Sequence, residues 1–165
     1  AFSNRSSAKT ILRWFAYDQY RLNQPITPEL EQLLIDNKLD FERHYIKEEY
    51  KECLPYIEKM TTKYPNSKLW MALAGKAQEH LGKEKQALYW IDKLYETPST
   101  YKKGDNEYQE AVIRTALGEL DKAVELLKLA HQKGFEFSFD TFQYDPFLKP
   151  LYGHAGFMEF VAPRM

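Results

Sequence analysis

Apolar residues recur three and four positions apart through "ELEQLL", "EKQALYWIDKL" and "DKAVELLKLA", the spacing that gathers them on one side of a helix. Seven glycines and eight prolines are too few for a β-sandwich or a flexible linker, and the pattern predicts an all-α chain. Near the N-terminus, "SSAKTILRWFAYDQYRLNQP" places Ile11, Leu12, Trp14, Phe15 and Tyr20 on a broad apolar stripe. It predicts a helix from about Ser7 to Leu22, ended by Pro25. Thr27, Pro28 and Glu29 follow as N-cap, first-position proline and first-turn acid. Pro55 is tolerable only near a helix start, so one helix should end near Lys47 and the next begin near Tyr50. Towards the C-terminus, Asp145-Pro146 reads as cap and first position of a short helix. Gly153 stops it, and "AGFMEFV" makes a last apolar turn.

The helical pattern repeats. "YKECLPYIEKMTTKYPNS", "EKQALYWIDKLYETPST" and "LDKAVELLKLAHQKG" align so that Cys53, Ala87 and Ala123 coincide, 34 and 36 residues apart. Each small residue is followed four positions later by Ile57, Ile91 or Leu127, and seven positions later by Met60, Leu94 or Ala130. Gly82 and Gly118 stand five residues before the second and third small positions, where a tight inter-helix turn needs positive φ. Glu48 takes that place in the first unit. A small side chain at a helix crossing lets two backbones approach to the short end of the ~8–10 Å range. Ala123 therefore exchanges its own buried area for closer packing around it.

A helix-turn-helix period near 34 residues resembles the tetratricopeptide repeat family, most clearly in "MALAGKAQEHLGKEKQALYWIDKLYETP". Gly75 and Ala87 fall on that family's small positions, Gly82 on its turn glycine, Leu94 on its late apolar position, and Pro98 near its closing proline. The resemblance implies a right-handed α-α superhelix of about three repeats with capping helices at both ends, forming a single domain over 1–165. Residues 1–33 would be an N-terminal cap and lead-in. Residues 34–66, 68–101 and 104–135 would be the repeats, with Phe41, Cys53 and Pro65 in register in the first and Ala111, Gly118, Ala123 and Ala130 in the third. Residues 136–165 would be a C-terminal cap burying Phe147, Leu148, Leu151, Phe157 and Phe160. The family's early aromatic position is Asn37, Met71 and Glu107 here, and Phe41 stands where a small residue is usual. The tail also resembles those that follow tetratricopeptide repeats in bacterial signalling proteins, behind cyclase, kinase or DNA-binding modules.

Composition then removes whole classes of function. A formal net charge of -1 supplies no global field for nucleic acid or an acidic membrane. The turn helices balance base against acid, so no nucleic-acid partner is expected. No run approaches the ~20 apolar residues of a membrane span, and "AFSNRSSAKT" has no secretory h-region; membrane insertion is not expected. Cys53 is the lone cysteine, which rules out an internal disulfide and gives no sign of an oxidising compartment, slightly favouring the cytoplasm. The chain lacks an initiator Met, as a mature chain or the C-terminal piece of a longer protein would. His44, His80, His131 and His154 form no metal-ligand pair, and "GKAQEHLGK" lacks phosphate-loop spacing. No G-x-S-x-G occurs. No enzyme, metal or cofactor is expected.

What remains is binding. The resemblance projects a concave groove onto Lys38, Glu42 and Tyr45 in the first repeat, Leu69, Ala72, Lys76 and Glu79 in the second, and Tyr108, Val112 and Thr115 in the third. Their mix of tyrosine, aliphatic and charged residues suits a peptide or protein segment. The two-carboxylate clamp of some family members is not expected: Lys38 matches its first lysine, but Glu42, Leu73, Asp105 and Gln109 occupy the other places, and two acids would repel the ligand. The expected function is a non-catalytic protein-interaction module. The alternative is a C-terminal sensory or regulatory region of a larger bacterial signalling protein, its groove filled by its own polypeptide or closed by homodimerisation.

Overall fold

A computed structural model describes residues 2–98, 103–135 and 142–162, with side chains from residue 8 onward. Every regular element among them is helical, and none is long and apolar enough to cross a membrane. The chain forms two compact units, Ala1–Cys53 and Leu54–Met165. The expected end of the second repeat at 99–101 and the stretch 136–141 lie outside the described residues.

In the first unit, α1 (Phe2–Arg21) packs on α2 (Pro28–Asp36) and α3 (Asp40–Ile46). Thr27 caps α2 as its sequence demands, accepting from Leu30 N–H at 3.3 Å. Tyr45 is the hub: its buried ring meets Tyr17, Tyr20, Phe41 and Tyr50 at 5.7 to 6.1 Å between centroids, three of the four edge-on, the favoured aromatic geometry. This settles which side of α1 turns inward. Ala16, Tyr17 and Tyr20 are buried, whereas Ile11, Trp14 and Phe15 are 68%, 57% and 51% exposed. The expected stripe is thus corrected. α1 is apolar on more than one face, and the buried one carries tyrosines that fit around Tyr45, with the Tyr20 hydroxyl donating to Glu48 at 3.1 Å.

The turn before α4 (Tyr50–Lys63) falls where Pro55 implied, and Glu48 adopts the left-handed conformation at φ 57. Pro55 itself lies inside α4 rather than in its first turn. It is solvent-exposed, as is Lys51, so the carbonyl that loses a donor can be hydrated. Cys53 closes the first unit fully buried, its thiol pushed up to about 12 by burial and by Glu52 and Glu49. Burial and the neighbouring acids hold that thiol protonated, and it fills core volume.

The second unit continues from α4 through α5 (Lys68–His80), α6 (Glu84–Glu96), α7 (Asp105–Ala116), α8 (Leu120–Gln132), a 3-10 turn (Pro146–Leu151) and α9 (Ala155–Val161). α5 pairs with α6 and with α7, and α7 pairs with α8. Gly82 and Gly118 make the two hairpin turns at φ 71 and 72. Ala87 and Ala123 are 0% exposed within the core, beside Leu94, Leu127 and Ala130. Ala123→Leu should therefore overpack the hairpin and lower stability by about 1–3 kcal/mol in urea unfolding. An unchanged midpoint would mean that the crossing has spare room.

Candidate interaction site

α5 is buried from Met71 to Ala77 without a break, so it has no solvent stripe over that stretch. Four of those seven residues are Ala or Gly, which is what a helix pressed by neighbours on several sides requires. At Gly75 an added Cβ would lie 2.7 Å from Ile113 Cδ1, so α5 and α7 meet almost backbone to side chain. α7 is buried just as continuously, from Glu107 to Ile113, and again at Thr115. Most of its polar groups are paired: Glu107 with Lys133 at 2.6 Å, Glu110 with Arg114 at 2.8 Å and with the Tyr95 hydroxyl at 2.7 Å, and Gln109 Nε2 with Asp105 at 3.1 Å, whereas Gln109 Oε1 is buried without a hydrogen-bond partner. Each pairing offsets a desolvation cost that an orphan group would carry.

The face shared by α5 and α7 is covered by the chain's own C-terminal segment. Asp145 caps the 3-10 turn, accepting the Phe147 N–H at 2.8 Å on Oδ1, while Oδ2 accepts a hydrogen bond from the Tyr108 hydroxyl of α7. Lys76 of α5, 1% exposed, donates Nζ to the Phe147 carbonyl at 2.8 Å. The Tyr152 hydroxyl closes the turn by donating to the Asp145 carbonyl at 2.6 Å. Leu148, Leu151 and Phe157 are 0% exposed in the core with α7 and α8, and Tyr108 stacks on Phe135 and Phe142 at 4.6 and 5.7 Å. Phe147 and Phe160 pack half-buried at the rim.

Asp145 as a residue keeps some surface in solvent, yet its carboxyl is enclosed. Burial pushes its pKa up to about 7; the Phe147 N–H and the Lys76 charge pull the other way without prevailing. A titrating carboxyl beside a lysine and a tyrosine could mark a catalytic centre. Here both oxygens are engaged within the chain, one by the Phe147 N–H and the other by the Tyr108 hydroxyl. The cluster is a latch.

No protein-family model, curated protein or solved structure matches this chain.

The ten groove positions divide by burial. Leu69 is 38% exposed, Lys38 is exposed and Glu79 half-buried, but Glu42, Tyr45, Ala72, Lys76, Tyr108, Val112 and Thr115 are buried. Lys38 does not lie on a helix: it sits in the turn between α2 and α3 at φ 55, after Asn37 has closed α2 with its side-chain amide on the Leu33 carbonyl at 2.8 Å. Glu42 is held by Arg13 at 2.5 Å. Of the rest, Lys76 and Tyr108 come together on the segment 145–147. Asp145 is legible in the sequence only as a cap, and the roles of its second oxygen and of the Phe147 carbonyl as ligands of that face come from the structure. The Asp-Pro dipeptide was the available signal.

His44 bonds Glu49 at 2.6 Å and His154 bonds Asp121 at 3.1 Å. Among the described residues, no three of His, Cys, Asp or Glu are grouped to hold a metal ion.

Proposed function

We propose that this chain is a non-catalytic protein-interaction module built on tetratricopeptide-like helical hairpins of a right-handed superhelix, with the α5/α7 face as its recognition surface. One observation carries the reading: that face already holds a short, non-α-helical stretch of polypeptide, gripping a carboxylate through Tyr108 and a main-chain carbonyl through Lys76. Recognition of a short segment draws on those two elements, a charged anchor and a main-chain contact, together with apolar wells. The fully buried Ala87 and Ala123 and the left-handed Gly82 and Gly118 support the hairpin assignment. Partners captured by the immobilised chain should be lost or weakened about tenfold by Tyr108→Phe combined with Leu69→Ala. If the same partners return in the same amounts, the face is not the binding surface.

The occupied face favours a second reading, a regulatory C-terminal region of a larger bacterial signalling protein in which the chain silences its own groove. A cyclase, kinase or DNA-binding sequence upstream in the full-length gene would support it; a gene whose coding sequence holds no such module would remove it.

A further inference from the structure

α1 carries two apolar faces. The inner one lies on Tyr45. On the outer one Ala8, Ile11, Phe15, Asp18 and Leu22 follow each other at alternating steps of three and four residues, and every one of them is exposed. Leu22 continues the series past the last residue of α1, its N–H donating to the Asp18 carbonyl at 2.9 Å. Ile11 and Trp14 are the two most exposed large apolar side chains among the described residues, and Phe15 and Leu22 are each 51% exposed. Alternating steps of three and four average 3.5 residues, the period with which one helix meets a second helix laid along it. An extended peptide alternates with a period of two and matches no such series.

Asp18 selects the second helix. It is the only acid of α1 and stands in the middle of the series, its side chain 54% exposed and Arg21 Nη2 at 3.3 Å. A parallel copy of α1 would set two Asp18 carboxylates against each other, a repulsive arrangement. An antiparallel copy lays Asp18 over the stretch 2–11, which holds Arg5 and Lys9 and no acid. In that direction the series also matches itself, as a two-fold contact requires. With Phe15 opposite Ile11 of the second copy, Ile11 falls opposite Phe15, and Asp18 falls opposite Ala8, the smallest member, which leaves the carboxylate room for water. Sliding the copies until Leu22 meets Ile11 would press Asp18 onto Phe15 and desolvate it without a new partner.

We infer that two copies of this chain associate weakly through the outer face of α1, the helices antiparallel and Phe15 of each seated on Ile11 of the other. This contact does not require the interaction-module reading. The four large side chains leave roughly 400 Å² exposed per copy. A standard stable interface takes ~800 Å² from each partner, so the dimer is reversible and its population follows concentration.

The test is sedimentation equilibrium of the whole chain from about 1 to about 300 μM. The wild type should move from the mass of one chain towards twice that mass as concentration rises. Phe15→Glu should raise the concentration for half-dimerisation at least tenfold, with Ile11→Glu as a second variant should the first alter the circular dichroism spectrum. Direction and register have their own readout. An equimolar mixture of Ala8→Cys and Asp18→Cys chains should form a disulfide-linked heterodimer on mild oxidation at least tenfold faster than either chain alone forms a homodimer, Cys53 being fully buried. A chain that stays monomeric throughout overturns the inference, and binding of that monomer to anionic lipid vesicles, lost with Phe15→Glu, would assign the face to a membrane surface instead. A dimer indifferent to both glutamate variants lies elsewhere and also overturns it. Homodimer cross-links that outpace the mixed one would mean parallel helices and overturn the antiparallel contact.

Discussion

Gly104→Ala should be the most damaging single methyl added to this protein, lowering stability by roughly 3–5 kcal/mol. Gly104 precedes α7 at φ 81, where an L side chain is strained, and its added Cβ would stand 2.3 Å from the Ala130 carbonyl oxygen and 2.9 Å from the Ala130 Cα. Both obstacles are backbone, so no rotamer change relieves them. Two other glycines supply the comparison. Gly118 shares the left-handed conformation at φ 72 but faces open space, and Gly118→Ala should cost only the conformational part, about 1–2 kcal/mol. Gly75 has no such strain, but its Cβ would stand 2.7 and 2.9 Å from Cδ1 and Cγ1 of the fully buried Ile113, so Gly75→Ala should cost about 1–3 kcal/mol. Urea unfolding of the three variants gives the order directly. If Gly104→Ala proves no worse than Gly118→Ala, the close approach of α7's start to α8's end is wrong.

Lys76→Met should cost about 3–5 kcal/mol at pH 8 and much less at pH 5. The pH dependence follows from Asp145. Its folded pKa of about 7 lies above the ordinary 3.8, so between those values the folded chain keeps a proton that the unfolded chain releases. Stability from this group is complete below the ordinary value and is lost as pH rises through about 7. At pH 8 the carboxylate is buried as an anion and Lys76 is the charge that offsets it; removing the ammonium leaves an uncompensated charge in the interior. At pH 5 the carboxyl is neutral and Lys76 has little to offset. Asp145→Asn should flatten the wild-type pH profile, and the double variant should recover part of the loss at pH 8, a coupling that a double-mutant cycle measures. Equal costs for Lys76→Met at both pH values would sink this account.

The local features of this fold were legible because local rules write them. Thr27, Asp145, Gly82, Gly118 and the turn at Glu48 each follow from capping or from the need for positive φ, and all stand where the pattern put them. Ala87 and Ala123 were legible from spacing. What failed was choice among alternatives that local rules leave equal. α1 offers two apolar sides, and only the ring of tyrosines around Tyr45, distant in sequence, selects one. Lys38 sits in a helical-looking run, but Asn37 closes the helix first. The resemblance projected residues of α5 and α7 onto a groove, whereas the segment that covers them was not legible, since periodicity within one helix says nothing about which remote segment packs on it.

The pairing of Lys76 with the 145–147 turn bears on how this chain can drift. An isolated exchange at position 76 or 145 strands a charge in a dry interior, while a joint exchange to two neutral residues of similar bulk need not. Descendants of this sequence should therefore keep both residues or surrender both, and a pairwise substitution signal linking those two columns would be the historical trace of the latch.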